Sequence, residues 1–217
     1  MRSRIHARGI PLLISFAIVS LGAFLLLTTA FGDFAHGSAN GPDDGYAGNP
    51  PDFLNCTVCH FDFPPNSGNG ALQILNLPPV YVPGSTYTLM VALTDPGQQR
   101  WGFEVTVLDA VAQQAGTLVV TDAVRTKLSD NAGSDPDYLK HTFEGTDMGV
   151  PDAAPGWSFD WVAPNLPSVT FYIAGNAANA SEDPSGDYIY TREYTIQQGT
   201  TATDASTWGK IKTLYSR

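Results

Sequence analysis

Residues 101–108 read WGFEVTVL, and their alternation decides the fold: Trp101, Phe103, Val105 and Val107 fall on one face of an extended chain. Residues 86–93, TYTLMVAL, repeat the pattern with Tyr87, Leu89, Val91 and Leu93. Side chains that alternate at period two are half-buried strands, with one face on a core and one in water. TLVV (117–120), YLKHTF (138–143), WSFDWV (157–162), VTFYIAG (169–175) and YIYTREYTI (188–196) continue the series. Between them stand turn-forming groups: DPGQQ (95–99), DNAGSDPD (130–137), GVPDAAPG (149–156) and ASEDPSGD (180–187). Seven or so short strands without a helical period predict an all-β fold, an immunoglobulin-like antiparallel β-sandwich over residues 71–198. Trp101, Trp157 and Trp161 are expected in its core.

Outward from the sandwich the texture changes twice. Residues 32–70 are rich in Gly, Pro, Asn and Asp, as in GPDDGYAGNPPDF (41–53) and PPNSGNG (64–70), and predict an irregular lead-in. Before it, Arg2, Arg4 and Arg8 precede an apolar run from Ile10 to Phe31 without a charged residue. That is the layout of an export signal or, at about 20 residues, of a retained N-terminal membrane anchor; residues 1–31 are assigned to it, and residues 10–31 to the tether if the segment is kept. Ala30 and Ala39 end sequences that suit a signal peptidase. Residues 199–217 form a tail whose Trp208, Ile211 and Tyr215 recur at helical spacing.

The chain has 217 residues and a formal charge of −10. One domain with accessory segments is the expected organisation. Nucleic acid is excluded as a partner, because neutralising a phosphate backbone requires clustered Lys and Arg, and the sequence contains no such cluster. No nucleophile elbow, phosphate loop or zinc-protease helix is present, so hydrolytic chemistry has no support. Asp130, Asp135 and Asp137, and Glu182, Asp183 and Asp187, lack EF-hand spacing and are expected in solvated turns.

The chemistry concentrates in LNCTVCHFDF (54–63), which holds both cysteines and one of four histidines. A redox dithiol calls for a βαβ setting that this loop does not have, and a closed zinc site needs four ligands where Cys56, Cys59 and His60 supply three. An exported pair two residues apart can also close a disulfide. The fifth residue favours a different chemistry: C-x-x-C-H attaches haem c, with the two thiols linked to the porphyrin and the histidine delivered to the iron. Cys56, Cys59 and His60 are therefore the expected haem-binding residues, with His60 an iron ligand.

Elimination supplies the second axial ligand. Met90 shares a strand face with Thr86, Thr88 and Ala92, opposite the apolar face, and His36 lies in the lead-in near a cleavage site. His141 alternates with Lys140 and points the way of Leu139 and Phe143, toward apolar groups. It is the expected ligand, with a hydrogen-bonded core histidine as the competing role; Met148, in EGTDMGVP (144–151), is the alternative, and an open position is a further one.

YVPGSTYTLMVALTDPGQQRWGFEVTVLDA (81–110), AGTLVVTDA (115–123), KHTFEGT (140–146), FDWVAP (159–164) and FYIAGNAANASEDPSGDYIY (171–190) resemble the bacterial Reelin-like domain called choice-of-anchor V. The resemblance spans residues 50–196, and its members often carry a CxxCH before the sandwich. It implies an immunoglobulin-like sandwich that is exported and surface-associated, and it implies no established reaction. It also implies a C-terminal membrane anchor, which the residues up to Arg217 do not supply. The expected function is an exported monohaem c-type cytochrome, an electron carrier rather than an enzyme with its own substrate. Its expected partners are redox proteins or an extracellular electron acceptor. The rival expectation is a surface adhesion or structural module in which Cys56 and Cys59 form a disulfide or hold a structural metal.

Overall fold

A computed structural model describes residues 37–199 except 134 and 182, and within them the regular secondary structure is nearly all strand. The strands are β1 (Ala71–Leu75), β2 (Val80–Tyr81), β3 (Thr86–Thr94), β4 (Arg100–Leu108), β5 (Thr117–Val120), β6 (Thr126–Ser129), β7 (Tyr138–His141), β8 (Trp157–Val162), β9 (Ser168–Ala178) and β10 (Tyr188–Gln198). They form a four-stranded sheet in the order β1-β3-β8-β5 and a six-stranded sheet in the order β2-β10-β9-β4-β7-β6. Every pairing is antiparallel except the short one between β2 and β10. The all-β sandwich expected from the sequence is the fold observed. The export segment, His36 and the tail beyond Gly199 lie outside the described residues, and among those described no helix is long and apolar enough to cross a membrane.

Alternation builds the core. Leu89, Val91 and Leu93 of β3 and Trp157, Phe159 and Trp161 of β8 face Phe103, Val105 and Val107 of β4 and Phe171 and Ile173 of β9. Rings cross the gap between sheets: Phe103 meets Trp157 at 4.6 Å, and Trp161 meets Phe171 edge-on at 5.0 Å. The core tryptophans are also polar anchors. Trp101, Trp157 and Trp161 donate their indole N–H groups to the carbonyls of Val150, Gly145 and Ala115, so burying them strands no donor.

Simple alternation fails on the other face of the six-stranded sheet. Every residue of β4 from Trp101 to Leu108 is buried, and so are all four of β7, including Lys140. The cause is the lead-in, which lies against this outer face as a third layer. Glu104, on the outer face of β4, accepts the N–H groups of Gly45 at 3.1 Å and Tyr46 at 3.3 Å. Lys140, its cross-strand partner, reaches the Pro42 carbonyl at 2.8 Å and the Asp44 carboxylate at 2.6 Å. The polar residues that alternation assigns to water are instead the fastening of the lead-in. Another expectation is corrected at the end of β7: the strand stops at His141, and Phe143 turns outward and is exposed.

Candidate functional site

Cys56–Val58 form a single 3-10 turn, and Asn55 caps it by accepting the N–H of Thr57 at 3.0 Å. The carbonyl of Cys56 then accepts the N–H of Cys59 at 3.2 Å and that of His60 at 2.9 Å. One turn of helix thus carries both thiols and delivers His60 immediately after them. Both cysteines are free, so the Cys56–Cys59 disulfide is not formed in this structure. Burial pushes the Cys56 thiol up to about 12, with the nearby Glu104 carboxyl adding to the effect, and burial raises Cys59 as well. Redox-active dithiols depend on a lowered thiol pKa, and this pair has the opposite electrostatics. Among the described residues no three His, Cys, Asp or Glu side chains are grouped to hold a metal ion.

His60 is held from two sides. Its Nδ1 lies 2.6 Å from Oδ2 of Asp187, in the loop that leads into β10. The Asn176 amide nitrogen, on β9, stands 3.3 Å from each ring nitrogen. A carboxylate can only accept, so Nδ1 carries a proton and Nε2 is the ring nitrogen left for a further partner. Gly37 covers Nε2, and any side chain at that position would collide with it. Asp187 was expected in a solvated turn, yet it is 2% exposed and belongs to the site. Its other oxygen accepts the N–H of Asn179 at 3.2 Å. The segment after the motif is tied to the same loop: Asp62 accepts the Gly186 N–H at 2.9 Å, and Phe63 stacks on Tyr188 at 4.5 Å.

Around the turn the surface is apolar. Phe53 and Phe61 are 61% and 71% exposed, and Leu54 and Val58 are exposed between them. Single exposed apolar residues are ordinary, but four within nine positions of the chain, flanking two free thiols, exceed that scatter.

His141 is buried at the end of β7. The β4–β7 ladder pairs Val105 with Leu139 and Glu104 with Lys140, and at the next step the N–H of Phe103 donates to Nδ1 of His141 at 3.0 Å. The Phe103 carbonyl lies 3.1 Å from the same nitrogen, and the main chain of Ser38 also hydrogen-bonds the ring. Burial pushes its pKa down to about 4, so the imidazole is neutral. The ring extends the ladder beside Gly102, where a Cβ would stand 2.7 Å from Cε1. Gly102 is the register partner of Asn176, so the structure brings His141 and His60 to adjacent strands under the consecutive residues Ser38 and Gly37. Met148 lies beyond the 3-10 turn Glu144–Thr146 with 56% of its surface in solvent, and Met90 stays on the face of β3 opposite the core.

The sequence motif located Cys56, Cys59 and His60, but Asp187, Asn176 and Glu104 were not found from sequence. The signal available for Glu104 is a lone acid inside an apolar strand; Asp187 closes a turn group and carries no such mark.

No family model matches the chain, and neither does any curated protein sequence. Among solved structures the chain is similar to the human F-spondin reeler domain, at 17% identity and a TM-score of 0.41, over 62% of this chain and 93% of that one. It is also similar to the Reelin-N domain of F-spondin, at 16% identity and a TM-score of 0.41, over 66% and 97%. A cohesin module from a Clostridium perfringens family 33 glycoside hydrolase matches at 6% identity and a TM-score of 0.41, over 61% and 96%.

Proposed function

We propose that the chain is an exported monohaem c-type cytochrome on a Reelin-like domain, carrying single electrons outside the cytoplasm. The observation that carries this reading is the apolar rim of Phe53, Leu54, Val58 and Phe61 around two free thiols and a histidine on one helical turn. A disulfide or a redox pair has no use for such a rim, whereas a porphyrin needs apolar cover for its faces.

The residues fit the group. Cys56 and Cys59 are reduced thiols on one turn and would hold a porphyrin through two thioether links, an addition of S–H that consumes no oxidant or reductant. His60 offers Nε2, because Nδ1 is committed to Asp187. Gly37 must yield for that nitrogen to be used, and a glycine there leaves only backbone to move. Bound there, haem would supply a one-electron iron couple. The sandwich fastens the lead-in at residues 42–46 through Glu104 and Lys140 and the motif's histidine through Asp187, and the exposed rim leaves an edge that redox partners or an extracellular acceptor can approach.

His141 is proposed as the second residue that would hold the iron, with Met148 as the alternative. Use of Nε2 by iron would require the tautomer in which Nδ1 donates to the Phe103 carbonyl in place of accepting the Phe103 N–H, and its approach requires Ser38 to move with Gly37. Export through residues 10–31, and membrane tethering if they are retained, are part of the same proposal.

The deciding experiment is expression of the full chain in a host with haem-attachment machinery. One haem that survives acid-acetone extraction and denaturing electrophoresis is expected, lost in Cys56→Ser with Cys59→Ser. A colourless product whose mass shows only a Cys56–Cys59 disulfide would return the chain to the adhesion or structural module.

A further inference from the structure

Resting on the haem reading, we infer that Asp187 is a positioning residue that makes His60 an electron-rich ligand and so lowers the reduction potential of the site. Three features of the structure support this. The Nδ1–Oδ2 separation of 2.6 Å is that of a charge-assisted hydrogen bond, shorter than a neutral N–H···O bond. The acceptor is fixed: Asp187 is 2% exposed, and its second oxygen is held by the Asn179 N–H, so the carboxylate does not swing away. Finally, among the described residues no Lys or Arg pairs with Asp187, so its carboxylate lies one imidazole away from Nε2 without a cation of its own.

A buried carboxylate is costly to leave without positive charge nearby. Ferric iron on Nε2 supplies one more positive charge than ferrous iron at the same place. The Asp187 charge, relayed through the Nδ1–H bond, therefore stabilises the oxidised state more than the reduced one. Second-sphere partners of this kind fix the tautomer and raise the basicity of a ligating histidine. The device would make the chain an electron donor poised at the low end for its ligand set, and it would fix His60 with Nε2 outward before any haem arrives.

The test has a haem-free and a haem-loaded arm. In full-length protein made without haem-attachment machinery, ring nitrogen shifts of His60 should report the Nδ1–H tautomer, and Asp187→Asn should loosen that preference. In the haem-loaded protein Asp187→Asn should raise the midpoint so that the ferrous to ferric ratio at a fixed potential increases about tenfold, roughly 59 mV for one electron. Asp187→Ser, which keeps an acceptor without the charge, serves if the amide fails to fold and should shift the midpoint the same way. An unchanged midpoint in a haem-bearing variant, or an Nε2–H tautomer in the haem-free protein, would overturn the assignment of Asp187 while leaving the cytochrome reading in place. Failure of the wild type to acquire haem would overturn both, and the tautomer arm would then show whether Asp187 orders His60 at all.

Discussion

Asn176 and Gly102 face one another on β9 and β4, and each carries an imidazole: the Asn176 amide stands 3.3 Å from the ring nitrogens of His60, and Gly102 leaves room for the ring of His141. Residues directly opposite on antiparallel strands share a face. Two histidines 81 positions apart are thereby assembled on one patch of the six-stranded sheet, beneath Gly37 and Ser38.

The first prediction concerns His141. In the haem-loaded protein His141→Ala should convert a low-spin iron to a high-spin or water-ligated one that binds carbon monoxide, with the covalent attachment kept. In the haem-free protein the same change leaves the Phe103 N–H without its acceptor and should cost about 1–3 kcal/mol. A low-spin spectrum that survives the substitution would assign His141 to the ladder alone and move attention to Met148.

Gly102 should tolerate no side chain. A Cβ there would stand 2.7 Å from Cε1 of His141, in a ladder position where the ring is fixed by the Phe103 main chain. Gly102→Val should destabilise the fold by about 1–3 kcal/mol through overpacking. Chemical denaturation reads the loss, and a wild-type midpoint would mean that the His141 ring is free to move aside.

The sandwich was legible because most of its strands bury one face, and period-two alternation is the signature of that condition. WSFDWV and TLVV coincide with β8 and β5 for this reason. β1, β2 and β6 were missed: ALQIL, VY and TKLS are too short for their alternation to stand out beside Gly-, Pro- and Asp-rich neighbours. The deeper miss has one cause. Alternation assumes water on the outer face, and a Pro/Gly-rich lead-in gives no periodic sign that it will cover a sheet, so Glu104 and Lys140 read as surface residues. At the site, a short motif with fixed spacing exposed Cys56, Cys59 and His60. Asp187 is 127 positions from the histidine it holds, and only the fold brings it there.

The apolar rim should be a functional surface rather than a stabilising one. Phe61→Ser, at a position 71% exposed, should change folding stability by less than about 0.5 kcal/mol. The same variant should lower the yield of haem-bearing protein and render its iron more open to solvent, seen as a raised midpoint or a shifted Soret band. A stability loss of several kcal/mol would instead mean that the rim packs against something in the folded chain.

The last prediction follows from Glu104, the carboxyl beneath the lead-in. Burial pushes its pKa up to about 8, opposed by the Lys140 ammonium at 4.0 Å and by the N–H groups of Gly45 and Tyr46. In the unfolded chain the group returns to the ordinary range near 4.5. A carboxyl raised in the folded state binds its proton more tightly there than in the unfolded one. Its contribution to stability is therefore greatest below about 4.5 and is lost as pH rises through about 8. Between those limits the wild type should lose a few kcal/mol from this group, since one pKa unit corresponds to about 1.4 kcal/mol. Glu104→Gln keeps the shape and an acceptor for the lead-in while removing the proton, so its stability should be flatter over the same range. Denaturation at pH 5, 7 and 9 checks this, and parallel pH profiles for the two proteins would show that Lys140 already keeps Glu104 ionised. Lys140→Met separates the two cases further. With a neutral Glu104 at pH 5 it should cost little beyond the lost Asp44 and Pro42 contacts, whereas at pH 9 it leaves a buried carboxylate without its cation and should cost about 3–5 kcal/mol.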